Sequence, residues 1–281
     1  MNKLILYGGQ GNVRLTDLVR LTKDDDGKNL LKQLESFDSE MYGYFQKVLK
    51  GTVPFSDNYA SMLSTFLYNA WRTSEVDLNE ILYFSSHSAG IFNVLLSSGS
   101  VEFGDVLRFI QRRADLVKLH QGDEEMWLVV TQSLSLLENL IQEKKEVIKL
   151  AIKTNATTGV AAFSERNKLE IENFLKSQGL LVKFKKLSLR IPYHTAFLDD
   201  IAKEYNSLVD ELFIKQNNQF RYIYSSKNLE NEIKNQLTQN FNWQGVLEQI
   251  VDENLEVYDF SPNKFMKKQL KMLSENVKFG N

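Results

Sequence analysis

Ile81-Leu82-Tyr83-Phe84-Ser85-Ser86-His87-Ser88-Ala89-Gly90, continued by Ile91-Phe92-Asn93-Val94-Leu95-Leu96, is the stretch whose reading decides the fold. Its four leading apolar residues, rich in aromatics, predict a short buried strand. A run of small residues then predicts a tight turn into an apolar helix that stops near Gly99. Ser86-His87-Ser88-Ala89-Gly90 nearly matches the Gly-x-Ser-x-Gly nucleophile elbow, with Ser86 in the place of the first glycine. Small residues suit such a turn because it is tight and the serine backbone is strained. Gly90 would let the helix pack close, and the Ser88 hydroxyl would be thrust out at the top of a sheet. The amide of Ala89 would point at the same spot from a helix N-terminus, where unpaired donors attract a developing anion. A small-residue cluster between a strand and a helix also reads as a plain turn, so the rest of the chain has to decide.

The 281 residues suffice for one large domain, or a large one with a smaller insert. With 43% hydrophobic and 25% charged residues the composition is that of a globular chain. A net charge of −2 gives no global electrostatic pull toward nucleic acid or a membrane surface. The absence of cysteine excludes a disulfide framework, a thiolate nucleophile and a Cys-ligated metal. No apolar run is long enough to span a bilayer. Met1-Asn2-Lys3-Leu4-Ile5-Leu6 enters a strand at once, without a signal-peptide core, so a cytoplasmic protein is expected.

Outward from the elbow the pattern is an alternation of strands and helices. Leu4 to Tyr7 predicts a strand running into Gly8-Gly9-Gln10-Gly11-Asn12, where backbone amides could approach a ligand. No Gly-Lys-Ser/Thr follows, and Arg14 stands where a dinucleotide fingerprint needs its third glycine, so a simple tight turn competes. Asp24-Asp25-Asp26-Gly27 reads as a solvated loop, and helical periodicity follows over 30–49 and 60–71. Residues 103–117 predict an amphipathic helix interrupted by Arg108, Arg112 and Arg113, which by themselves read as a wet face. Between about 121 and 190 the predicted order β-α-β-β-α-β is the ferredoxin-like split unit. A helix is expected over 197–212, a strand over 222–225, helices over 230–237 and 243–251, a last strand over 255–260 and a terminal helix over 264–273. The expectation is an α/β fold. A large α/β-hydrolase-like subdomain with a parallel sheet (1–120 and 191–281) would carry an inserted ferredoxin-like subdomain (121–190).

The Gly9-Gln10-Gly11 loop, the Ser88 elbow, Arg113 placed 25 residues beyond Ser88, and Pro192-Tyr193-His194-Thr195 occur together in this order. The set resembles the malonyl-coenzyme A:acyl carrier protein transacylases, including the acyltransferase domains and free-standing acyltransferases of polyketide synthases. The resemblance spans nearly the whole chain. Ser98-Gly99-Ser100-Val101-Glu102-Phe103 after the elbow helix, and Gln236-Leu237 leading to Trp243, look like the family's segments at those places.

The resemblance implies roles. Ser88 would be the nucleophile and His194 its base, since a serine hydroxyl needs a proton acceptor near neutral pH. The backbone amides of Gln10 and Ala89 would hold the oxyanion. Arg113 would bind the malonyl carboxylate, a task for planar guanidinium geometry. The main-chain carbonyl of Gln236 would orient His194, with Tyr193 and Asn58 in the substrate pocket. His87 is assigned a structural role under the elbow, and His120 a place at the surface. Asp105, Asp115 and Asp123 stand in hydrolase order for a triad acid, behind the Gln236 carbonyl.

The implied activity is transfer of a malonyl or related short dicarboxyl group from coenzyme A to the phosphopantetheine thiol of an acyl carrier protein, trans-acting in polyketide biosynthesis. No bound cofactor or metal is needed. Carrier proteins are usually acidic, and Lys183, Lys185, Lys186 and Arg190, or Lys267, Lys268 and Lys271, could offer a basic rim, although solvated faces explain both sets. Gly8, Ser86, Ile91, Asn58 and Ser261-Pro262-Asn263 depart from the family pattern, which points to a specialised pathway member. The rival readings are a proofreading acyl hydrolase on the same fold and a non-catalytic scaffold that binds carrier protein.

Overall fold

The computed structural model describes residues 1–280. The strand β1 (Lys3–Tyr7) leads through the glycine-rich loop to four helices, α1 (Leu15–Lys23), α2 (Asp25–Phe37), α3 (Ser39–Leu49) and α4 (Asn58–Thr73). Then come β2 (Ile81–Ser86), α5 (Ile91–Ser97) and α6 (Phe103–Leu116). The chain continues as β3 (Glu124–Thr131), α7 (Leu134–Ile141), β4 (Lys149–Lys153), β5 (Thr158–Ser164), α8 (Lys168–Ser177) and β6 (Val182–Lys186). It closes with α9 (Ala202–Asp210), β7 (Arg221–Ile223), α10 (Leu229–Thr238), α11 (Trp243–Asp252), β8 (Glu256–Asp259), α12 (Phe265–Leu273) and β9 (Lys278–Phe279).

Two compact units result. The first comprises Met1–Ala114, Asp210–Tyr224 and the stretch from Leu247 onward. Its described strands form a parallel sheet in the order β7-β2-β1-β8-β9. Leu4, Ile5, Leu6 and Tyr7 are all fully buried, as a parallel strand covered on both faces requires. Because β2 and β8 flank β1 on opposite sides, the connections diverge there. The loops after β1 and β2 therefore lie at the carboxyl end of the sheet, the place where open α/β sheets bind ligands.

The second unit comprises Asp115–Val209 and Ser225–Val246. Its sheet is antiparallel in the order β4-β5-β3-β6, which is the ferredoxin-like arrangement of a β-α-β-β-α-β unit. Trp127, Val129, Leu134, Leu137, Phe163, Ile171 and Leu175 fill the core between the strands and their helices. Trp127 stacks on Phe163 at 4.8 Å. This unit is larger than the 121–190 segment expected from sequence. Phe241 runs beside β4, accepting from the Lys153 amide at 3.0 Å and donating to the Ala151 carbonyl at 2.9 Å, so 225–246 join it.

Several local expectations are corrected. Asp24-Asp25-Asp26-Gly27 is the start of α2, not a solvated loop. Asp24 caps it, accepting from the amides of Asp26 at 3.0 Å and Gly27 at 3.2 Å, and the other aspartates sit in the first turn where the helix dipole favours them. A Cβ on Gly27 would lie 2.0 Å from the Leu21 carbonyl oxygen. The 30–49 periodicity is split at Asp38, which caps α3 through the amides of Glu40 and Met41, both at 2.9 Å. The expected 197–212 helix is a 3-10 segment over Ala196–Ile201 followed by α9, with the geometry broken at Leu198. Neither α1 nor β9 was expected.

Candidate active site

In the first unit the elbow is built as strand, turn and helix. β2 ends at Ser86, and Ser88 begins a short turn that passes into α5. Ser88 has φ +47, a left-handed conformation that is costly for a residue with a Cβ. The His87 amide donates to the Tyr7 carbonyl at 2.9 Å, tying the turn to the end of β1. A Cβ on Gly90 would sit 2.7 Å from the Tyr7 oxygen and 2.8 Å from the Gly8 oxygen, so only glycine lets the helix approach this closely. A Cβ on Gly9 would fall 2.6 Å from both the His87 carbonyl oxygen and its Nδ1. The glycine-rich loop thus rests directly on the elbow, which brings the Gln10 and Ala89 segments together.

Side chains brace that loop. Asn69 Nδ2 donates to the Gly8 carbonyl at 2.9 Å and to Asn93 Oδ1 at 3.1 Å, and Asn93 Nδ2 donates to the Phe66 carbonyl at 2.9 Å. Gln10 Nε2 donates to Asn58 Oδ1 at 2.9 Å and to its carbonyl at 3.2 Å, joining the loop to the start of α4. His87 is partly buried, and desolvation pushes its pKa down to about 4. It is a neutral imidazole whose Nδ1 lies against Gly9 of the glycine-rich loop. Arg113 is 1% exposed on α6. Its Nη1 lies 2.9 Å from the Met62 sulfur, and its guanidinium carbon lies 5.6 Å from the Phe92 ring centre on α5. The wet-face reading fails for Arg113 and holds for its neighbours: Arg108 pairs with Asp105 at 2.7 Å, and Arg112 pairs with Glu211, both pairs exposed.

In the second unit Tyr193, His194 and Thr195 are all buried. His194 has φ +63, so this turn also holds a non-glycine residue in the left-handed region. The His194 amide donates to the Gln236 carbonyl at 3.2 Å, and Thr195 donates to Leu237 at 3.2 Å. Thr195 Oγ1 closes the turn on the Pro192 carbonyl at 2.6 Å. The imidazole stacks on Phe241 at 5.3 Å. His194 and Gln236, 42 positions apart, are therefore neighbours. His120 is not a plain surface histidine. Its side chain is 8% exposed, with Nδ1 3.1 Å from Asp200 and Nε2 3.3 Å from Glu124. Asp115 pairs with Lys118 at 2.7 Å, and Asp123 accepts from Ser164 at 2.8 Å. Lys186 bridges Glu125 at 2.6 Å and Glu165 at 2.7 Å, so it is not a bare solvated lysine. Among the described residues no group of three or more His, Cys, Asp or Glu is arranged to hold a metal ion.

The solved structure of a type II polyketide synthase malonyl-transacylase, in complex with its acyl carrier protein, matches this chain with a TM-score of 0.84. It is 13% identical, and the match covers 99% of this chain and 95% of that one. The acyl-carrier-protein S-malonyltransferase of Burkholderia pseudomallei matches with the same TM-score of 0.84 at 14% identity, over 99% and 95%. That of Helicobacter pylori matches at 0.83 and 18% identity, over 99% and 93%. The fold is that of the malonyl-coenzyme A:acyl carrier protein transacylases. No protein-family profile matches the chain. Two fungal proteins are similar in sequence: the 5-methylorsellinic acid synthase of Aspergillus terreus, 25% identical over 180 residues, and the non-reducing polyketide synthase Dhc5 of Alternaria cinerariae, 22% identical over 147. The matches take in 60% and 52% of this chain but only 6% and 7% of those synthases.

Within the transacylase fold, three supports escaped the sequence reading. Asn69 and Asn93 carry the amide network under Gly8, and Glu232 lies buried near the His194 turn. Asn93 had a signal: it is the one polar side chain in the apolar run from Ile91 to Leu96.

Proposed function

We propose that this chain is an acyltransferase that carries a malonyl, or related short dicarboxyl, group from coenzyme A to the phosphopantetheine thiol of an acyl carrier protein. The observation that carries the reading is Ser88 held at φ +47 where a central parallel strand turns into a helix, with the glycine-rich loop packed against it. Backbone strain of this kind persists where the surrounding structure enforces it, and it clusters at nucleophiles.

Ser88 Oγ attacks the thioester carbonyl while its proton passes to His194. The amides of Gln10 and Ala89 receive the oxyanion, an interaction worth more at the transition state than in the ground state. The carbon–sulfur bond breaks and His194 returns the proton to the departing coenzyme A sulfur. The carrier thiol then attacks the Ser88 ester, giving its proton to His194. The ester carbon–oxygen bond breaks, and Ser88 Oγ recovers that proton. The Gln236 carbonyl holds the histidine in place, Arg113 pairs with the free carboxylate of the acyl group, and Tyr193 and Asn58 border the substrate. No cofactor enters these steps. The same reading makes the chain a trans-acting member of polyketide biosynthesis in the cytoplasm. Among the described residues no helix is long and apolar enough to cross a membrane.

The test is intact-protein mass after exposure to malonyl-coenzyme A. A malonyl adduct is expected on the wild type and none on Ser88→Ala, with His194→Ala slowing its formation by roughly 10²–10⁴-fold. Arg113→Ala should lower malonyl loading by orders of magnitude while sparing acetyl loading, because a guanidinium placed for a carboxylate has no counterpart in a monoacyl donor. Adduct formation by Ser88→Ala overturns the mechanism. Malonyl loading unchanged in Arg113→Ala, with water rather than carrier thiol as the acceptor, supports the hydrolase instead.

A further inference from the structure

The second unit buries a carboxylate beside the turn that carries His194. Glu232 is 7% exposed and stands four residues before Gln236 on α10, so the two share one face of that helix. Gln236 is the residue whose carbonyl accepts from the His194 amide. His194 and Glu232 also line one small cavity, together with Ser225, Asn235 and Gln236. They are the only titratable groups among its lining residues.

The carboxylate is built into place. Its oxygens accept from the Ser226 amide at 2.9 Å and the Ser225 hydroxyl at 3.2 Å. Asn235 Nδ2 donates to Ser226 Oγ at 3.0 Å and fixes that segment. Donors aimed at the carboxylate favour its ionised form. Burial works against them and raises the pKa of Glu232. The other charged groups of α10, Glu230 and Lys234, pair with each other at 2.7 Å.

We propose that Glu232 is a positioning residue for His194, an ionised carboxylate that acts across their shared cavity to orient the imidazole and steady the imidazolium. The cavity has room for about one water molecule, which can carry a hydrogen bond between the two groups. In the proposed steps the transferred proton resides on His194, not on Glu232. The inference rests on His194 being the base proposed above.

Glu232→Gln removes the charge at nearly constant shape. With only three histidines in the chain, the titration of each imidazole can be followed by NMR. An anionic neighbour raises a histidine pKa. The His194 midpoint is therefore expected to fall by about one pH unit in Glu232→Gln and to recover largely in Glu232→Asp. The pH profile of Ser88 loading by malonyl-coenzyme A should shift to lower pH by the same amount, with kcat lowered and KM unchanged. Should Glu232→Gln fail to fold, Glu232→Ala, which also removes the charge, is read in its place, and a drop in its His194 midpoint supports the proposal. An unmoved His194 midpoint in a folded variant that lacks the charge overturns it. A wild type that never loads Ser88, yet shows the midpoint shift, defeats the acyl-transfer reading and leaves the coupling of Glu232 to His194 standing.

Discussion

Ser88 and His194 are both non-glycine residues in the left-handed region, at φ +47 and +63. A left-handed residue bearing a Cβ costs roughly 1–2 kcal/mol, and glycine escapes that cost but gives back about 0.5–1 through the freer unfolded chain. Ser88→Gly should therefore be more stable than Ser88→Ala by about 0.5–1 kcal/mol, although neither carries an acyl group; paired urea melts check this. His87 adds a pH dependence. Its folded pKa of about 4 lies below the ordinary histidine value of 6.5, because burial disfavours the charged ring. The unfolded chain therefore takes up a proton below pH 6.5 that the native state refuses. Stability is full above that pH and falls by about 3 kcal/mol as pH drops toward 4. Replacing His87 with Gln should flatten that part of the curve in denaturant midpoints measured from pH 7 to 4.

At the scale of elements, close backbone approach decides how the glycine-rich loop and the elbow helix meet. Gly90→Ala puts a Cβ 2.7 Å from the Tyr7 oxygen, and it should cost about 1–3 kcal/mol through forced displacement of β1. A larger loss of acyl loading than of stability would show that the loop is displaced with it. In the antiparallel sheet, Trp127 is 3% exposed, stacked on Phe163, with Lys168 and Lys186 over its ring at 5.5 and 5.8 Å. Trp127→Ala should cost about 3–5 kcal/mol, read from the thermal or denaturant midpoint. Elements were legible where their cause is local. Apolar runs marked β1 and β2, and the alternation of strands and helices in 121–190 marked the ferredoxin-like unit. The start of α2 was not legible, because three aspartates and a glycine look like a loop until Asp24 is seen capping the helix that they begin.

For the whole molecule, a net charge of −2 supplies no field that would gather a polyanion. No binding to a labelled DNA duplex is expected in fluorescence anisotropy at physiological salt, where non-specific association depends on many phosphate contacts. The sequence by itself determined the alternation of elements, the small-residue turn at Ser88 and the glycine-rich loop after β1, since these depend on neighbours a few positions apart. It also contained the order and spacing of Ser88, Arg113 and His194. Tertiary structure alone decided that Arg113 is buried against Phe92 while Arg112 is at the surface, that Phe241 runs beside β4, and that Glu232 shares a cavity with His194. Such facts depend on which distant segments pack together and on the water they exclude. No local pattern of side chains encodes that.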